Sequence, residues 1–258
     1  MQGKVEEASI EIERVYEAAV DEDAAREIAV KLTKTIQKTT NKVPLFELFN
    51  RTNRGGTGVA LIIMAFHELT AMGPILLYSN TIISDMGSGD SEINGRLGTY
   101  LVGVFNFLAA SCALYSGKAF SRRFLFLGGH GSMFVTQTLM GVFVLIDKPI
   151  WSLICIFIFL FCYQNTSGAI TWLYCSEIAV DSALGIVGTS GYVGTFVLAL
   201  TVQPMMNSAL GQAGVFILFG IISLIGTIWI YFYLKETSVG LTDKQKKELY
   251  IPQDILDA

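Results

Sequence analysis

The sequence predicts an all-α membrane protein: six transmembrane helices forming one bundle, preceded by amphipathic surface helices. Three observations predict it. The 258 residues are 52% hydrophobic and 16% charged, with a mean hydropathy of +0.52, which is too apolar for a soluble domain of this size. Six apolar runs follow one another near 57–83, 97–116, 124–146, 150–174, 185–206 and 213–234, and a helical span needs about 20 residues to cross about 30 Å of hydrocarbon. None of the runs alternates as a barrel strand does, and backbone in lipid must satisfy its own hydrogen bonds, so each is helical.

Ahead of the spans, residues 1–50 form an arm with helical periodicity but no spanning length. Val5, Ile12, Val15, Tyr16 and Ala19 share one face, and Ile28, Leu32 and Ile36 another. Asp21-Glu22-Asp23 divides the stretch into two helices, with Asp21 as the second N-cap. Such helices pack against a partner or lie on the bilayer surface. Residues 51–236 hold the bundle, and residues 237–258 form a polar tail. Pro74 and Pro204 are expected to kink their helices. In the fifth span Gly185, Gly188, Gly191 and Gly194 form a stripe that lets neighbouring helices approach closely. Gly87-Ser88-Gly89 and Asp90 read as a flexible turn between spans.

Cations set the orientation. Arg51, Arg54, Lys118, Arg122, Arg123, Lys235, Lys244, Lys246 and Lys247 fall on one side of the spans, and only Arg96 and Lys148 on the other. Both termini therefore face the positive-inside compartment, a pattern that suits a plasma, organellar or mitochondrial inner membrane alike.

Several function classes drop out. The net charge of -4 comes without a basic patch, which argues against nucleic acid as a partner. Cys112, Cys155, Cys162 and Cys175 lie in or beside apolar runs without metal or redox spacing, and act as small hydrophobes. No cleavable signal or transit peptide is visible. Because no nucleophile–base pair, metal-ligand cluster or phosphate loop is present, neither an enzyme nor a cofactor is expected. What stands out is His67-Glu68 in the first span. Ionisable groups at mid-membrane are expensive and mark a functional site or a specific polar contact, and a Glu68 kept neutral there could exchange protons.

These residues also carry a family resemblance. His67-Glu68-Leu69-Thr70-Ala71-Met72-Gly73, leading to Leu77-Tyr78-Ser79-Asn80, resembles the QQLxGIN and YYS signature of the seventh span of sugar porters in the major facilitator superfamily. Asn106 precedes Arg122-Arg123 as the family's eighth-span Asn precedes its D/E-R-x-G-R-R loop. Gly168-Ala169-Ile170-Thr171-Trp172 with Glu177 resembles GPIPW and its downstream Glu, and Lys235-Glu236-Thr237 stands where the family has PETKG. The resemblance covers nearly the whole chain. It implies the C-terminal six-helix half of the major facilitator fold, with the arm matching the end of the linker between halves.

Carried over by position, the resemblance implies a substrate site of His67, Glu68, Asn106 and Trp172, and an inner-face charge cluster of Arg122, Arg123 and Glu177. The departures are as informative as the matches. Two glutamines become His67 and Glu68, and the signature Asn becomes Gly73, so amides that read several sugar hydroxyls at once are lost. Lys118, Ala119 and Ser121 replace the acid, base and glycine of the family loop, and Ser182-Ala183-Leu184-Gly185 keeps only the glycine of R-x-R-G. The prolines of GPIPW are Ala169 and Thr171, which should leave that helix less broken.

Transporters of this kind bind substrate between two halves, and one bundle offers one wall. The expected function is therefore a degenerate half-transporter, serving as a non-transporting accessory subunit of a larger membrane complex, with the arm and the tail as docking segments. The alternative is an active transporter of a sugar or other small solute, paired as a dimer or with a separate N-terminal half. The expected partners are the lipid bilayer and either protein subunits or a second half-bundle.

Overall fold

The computed structural model describes residues 27–31, 44–77, 95–238 and 240–256. The expected arm, apart from residues 27–31, which are helical, and residues 44–50, and the turn at Gly87–Asp90 lie outside the described residues. The chain divides into two compact units, Met1–Pro44 and Leu45–Ala258. The second unit contains all the spans.

That unit is a helical bundle, with no strand among the described residues. A short 3-10 turn at Leu45–Phe49 leads into α1 (Arg54–Glu68) and α2 (Met72–Leu77), which together make the first span. The second span is α3 (Gly95–Ala119) and the third is α4 (Arg122–Leu145). The fourth comprises α5 (Pro149–Tyr163), a π turn (Gln164–Gly168) and α6 (Ala169–Ile178). The fifth is α7 (Asp181–Met206), the sixth α8 (Gly211–Tyr233), and α9 (Asp243–Glu248) and α10 (Gln253–Leu256) follow in the tail.

Five of these spans are long and apolar enough to cross a membrane: Arg54–Leu77, Gly98–Ala119, Pro149–Ile178, Asp181–Met206 and Gly211–Tyr233. The remaining span, Arg122–Leu145, has 24 residues but is diluted by Gly128 to Ser132 and by Thr136, Gln137 and Thr138. It is wedged between the fourth and sixth spans. There His130 and Gln137 are fully buried, so its polar groups point into protein rather than lipid.

Local chemistry sets the ends. Ser121 caps α4, its Oγ accepting from the Phe124 amide at 3.3 Å, so the serine found in place of the family glycine does structural service. Pro149 opens α5, where a missing N–H costs nothing. Thr242 and Gln245 form a capping box on α9.

The proline effects differ from expectation. The first span breaks before Pro74, at Leu69–Ala71, where Ala71 takes φ 58. Pro74 then sits in the first turn of α2, where proline is tolerated. The break leaves the Thr70 carbonyl without a helical partner, and Gln137 Nε2 of the third span donates to it at 2.7 Å. α7 runs through Pro204, which lies in its last turn. In the fourth span the missing prolines do leave a continuous helix, but not a regular one. Asn165 Nδ2 donates to the Phe161 carbonyl at 2.9 Å and Thr166 Oγ1 to that of Cys162 at 2.5 Å. These side chains compete for i−4 carbonyls and accompany the widened turn.

Candidate functional site

The π turn joins three spans. From it Gln164 Nε2 donates to Asn106 Oδ1 of the second span at 2.7 Å. Three residues on, Ser167 Oγ lies 3.2 Å from His67 Nδ1 of the first span. His67 is only 7% exposed, and its other nitrogen lies 3.1 Å from the Tyr163 hydroxyl. Its ring is thereby held from both edges by the fourth span.

Glu68 points the other way, toward the fifth span. Thr195 Oγ1 donates to Glu68 Oε2 at 2.5 Å, while Oε1 lies 3.9 Å from His67 Nε2. The glycine stripe makes this approach possible. A Cβ at Gly194 would stand 3.2 Å from Glu68 Cγ, and one at Gly191 would stand 3.4 Å from its Oε1 and 3.0 Å from Met64 Sδ. One turn earlier, the Cβ position of Gly188 lies 3.6 Å from the Trp172 indole. Indole and carboxylate thus lie along one helix face, separated by about 4.5 Å of helix rise. Trp172 is 44% exposed, so its ring is not buried packing.

Of the four substrate positions expected from sequence, Glu68 and Trp172 pack about one turn apart along the fifth span, Asn106 accepts from Gln164, and His67 is buried against the fourth span. Gly73 lies against Thr195, its Cβ position 3.6 Å from the threonine methyl. Sequence reasoning missed Tyr163, Gln164, Ser167 and Thr195. A signal for three of them was available in Tyr163 to Gly168, a polar run inside an otherwise apolar span.

At the opposite end of the same helices, Arg122 Nη2 lies 3.6 Å from Glu177 Oε1, and Lys246 Nζ of the tail reaches the same oxygen at 3.3 Å. Thr237 Oγ1 donates to Glu177 Oε2 at 2.5 Å. The Arg122 guanidinium also donates to the Gly117 carbonyl. Arg123 stands apart from Glu177, donating to the Tyr231 carbonyl at 2.7 Å and covering that residue's ring. The organising acid that sequence reasoning left out is Glu236. Its carboxylate accepts from the amides of Arg122 and Arg123, both at 3.0 Å, at the positive end of α4. Burial opposes its ionisation, but bonds from Ser238, the Arg123 amide and Ser121 outweigh that and hold the carboxyl down at about 2.

Among the described residues no group of His, Cys, Asp or Glu could hold a metal. The arrangement offers hydrogen bonds and one aromatic face instead. The Asn106–Gln164 bond leaves both N–H groups of Asn106 and one of Gln164 free to donate, Glu68 contributes acceptors, and Trp172 a ring.

Residues 1–249 match the family described as sugar (and other) transporter. The facilitated trehalose transporter Tret1 of Drosophila pseudoobscura pseudoobscura is 30% identical over 213 residues, which is 78% of this chain and 24% of that protein. A Tret1-2 homolog of Drosophila sechellia is 27% identical over 203 residues, 74% of this chain and 41% of its own. Among solved structures, the proton:xylose symporter XylE bound to 6-bromo-6-deoxy-D-glucose superposes with a TM-score of 0.72 at 18% identity, covering 96% of this chain and 52% of that one. A double-tryptophan mutant of XylE gives 0.72 at 16% identity, over 92% and 51%. The fold is thus one half of a major facilitator bundle, and the chain spans a quarter to two fifths of these curated relatives.

Proposed function

The chain belongs to the sugar (and other) transporter family, and on that premise we propose that its bundle forms one wall of a pathway for a small polyhydroxylated solute, working against a second six-helix bundle. The observation that carries this reading is the π turn, which aims Gln164 at Asn106 in a span that also presents the exposed Trp172. Gln164 supplies an amide in place of those lost at His67, Glu68 and Gly73. Hydroxyl groups need donors and acceptors together, and a ring face for the apolar side of the solute. The amide pair, the Glu68 carboxylate and the indole provide these.

The test is exchange of labelled trehalose, glucose, xylose and inositol in vesicles from cells that express the chain. Saturable exchange is expected, falling roughly tenfold in Gln164→Ala, since one hydrogen bond to solute contributes about 1.4 kcal/mol. Exchange with none of the panel, in a chain shown to be folded, would sink the transport reading.

The accessory-subunit reading has its own support. All of His67's hydrogen bonds are internal to the bundle, as suits a scaffold. Migration in fixed stoichiometry with a large complex on blue-native gels, without exchange, is its expected signature. We further propose that both termini lie on the positive-inside face, because Arg51, Arg122, Lys246 and Lys247 gather around one end of the bundle.

A further inference from the structure

Glu68 is an acid without a counter-charge in its own bundle. Among the described residues it is the one acid in the interior of a span, away from the ends where Asp147, Glu177 and Asp181 lie, and every Lys and Arg of the spans stands at a span end. An ionisable group in that setting pairs with a charge or marks a substrate pathway. His67, its neighbour in sequence, does not supply the charge. The His67 Nε2 is 3.9 Å from Glu68 Oε1, beyond hydrogen-bond length. Its two nitrogens meet Ser167 Oγ at 3.2 Å and the Tyr163 hydroxyl at 3.1 Å, contacts that a neutral ring satisfies by donating through one nitrogen and accepting through the other.

The backbone adds to the negative potential. α1 ends at Glu68 and the chain turns at Leu69–Ala71, so the negative end of a 15-residue helix lies beside the carboxylate. Thr195 Oγ1 donates to Glu68 Oε2 at 2.5 Å, which leaves Oε1 for a ligand. Along the fifth span, Glu68 packs against Gly191 and the Trp172 indole against Gly188, one turn away. The indole is 44% exposed. A carboxylate and an indole face on one wall are the groups that recognise an ammonium ion.

We propose that the solute is a polyol carrying an ammonium group, an amino sugar, whose cation is held between the Glu68 carboxylate and the Trp172 indole; the inference rests on the transport reading above. An ammonium bonds a carboxylate oxygen at about 2.8 Å and is attracted within about 6 Å of a ring centroid, so one cation can serve two groups set about 4.5 Å apart along a helix. The hydroxyl groups of the solute fall to the amide pair, where Gln164 Nε2 donates to Asn106 Oδ1 at 2.7 Å. An ionised carboxylate only accepts, whereas an ammonium only donates. An acid at Glu68, where sugar porters carry an amide, therefore removes a donor that a neutral sugar uses and adds the charge that an amino sugar answers.

Exchange in vesicles from cells that express the full chain tests the substrate class. Labelled glucosamine, glucose and N-acetylglucosamine are compared at about pH 6.5 on both sides, where the amine is charged and the other two sugars are neutral. The two controls bracket the amine in size. Glucosamine is expected to show a KM about tenfold or more below that of either neutral sugar, because hydrogen bonds to a charged group are the stronger ones. Glu68→Gln should bring the three values within about twofold, by weakening glucosamine rather than improving glucose. Trp172→Ala, at a position exposed enough to spare the fold, should cut the preference about fivefold, and Trp172→Phe should keep most of it. Equal KM values in the unaltered chain, or a preference that Glu68→Gln leaves intact, overturn the cation site and leave transport standing. Should Glu68→Gln fail to fold, an unchanged preference in Trp172→Ala has the same force. Exchange of neither the amine nor any neutral sugar by a folded chain overturns transport and the cation site together.

Discussion

At the scale of single residues, close approach and charge placement decide the outcome of substitution. A Cβ at Gly56 would stand 2.5 Å from the Ile178 carbonyl oxygen, which is backbone and cannot rotate away, whereas Gly58 has nothing within 4 Å. Gly56→Ala is expected to cost about 1–3 kcal/mol by prising the first span from the end of the fourth. Gly58→Ala should be neutral or stabilise by about 0.5–1 kcal/mol through helix propensity. Thermal unfolding in detergent distinguishes the two, and equal effects would contradict the close contact. Glu236 makes a second residue-scale case. Its folded-state pKa of about 2 lies below the ordinary 4.5, so its stabilisation is complete above the ordinary value and is lost as pH falls toward the lower one. Glu236→Gln should therefore flatten the acid limb of stability against pH, with hydrogen exchange at Arg122 and Arg123 as the local readout. An unchanged acid limb would show that the carboxylate does not hold the start of α4.

At the scale of elements, the spans were legible because hydropathy and length leave few alternatives, but their interruptions were not. A break before Pro74 and a π turn at Gln164–Gly168 depend on which neighbour satisfies a freed carbonyl, and that neighbour lies 67 residues away for Thr70. No local pattern around Thr70 reports Gln137. The same holds for the candidate site: His67, Glu68, Asn106 and Trp172 were expected by position, while Thr195 emerged only when helices were set side by side. The break yields a direct prediction. Gln137 also accepts from Ser223 Oγ at 2.9 Å, so it ties the first, third and sixth spans together. Gln137→Leu keeps much of the volume, leaves the Thr70 carbonyl unpaired, and should cost about 1–2 kcal/mol. Adding Ser223→Ala should cost little more, because one partner of that bond is already gone. Additive losses in the double-mutant cycle would refute a shared network.

At the scale of the whole bundle, the tail is a clamp rather than a free end. The expected docking segment is folded onto the protein itself. The Tyr250 hydroxyl lies 2.7 Å from that of Tyr174 on the fourth span and accepts from the Lys235 amide at 2.8 Å after the sixth. Its carbonyl oxygen lies where a Cβ at Gly55 of the first span would be, 2.1 Å away. Lys246 reaches Glu177 at 3.3 Å, Lys247 reaches Asp181 at 3.3 Å, and Arg51 reaches Asp254 at 2.8 Å. The Lys247–Asp181 and Arg51–Asp254 pairs are exposed and individually weak, so the part-buried tyrosine contact should outweigh them. Tyr250→Ala is therefore expected to lower stability by about 2–4 kcal/mol and Lys247→Ala by less than about 1 kcal/mol. Tyr250→Phe, which keeps the ring and removes the shared hydroxyl, should fall between them at about 1–2 kcal/mol, since it leaves the Lys235 amide without that acceptor. Proteolysis gives the second readout. Cleavage after Lys235 should accelerate in Tyr250→Ala and stay slow in Lys247→Ala, because only the first removes the hydroxyl that the Lys235 amide bonds. Equal cleavage in all three variants would mean that the tail rests on the bundle without holding its helix ends together.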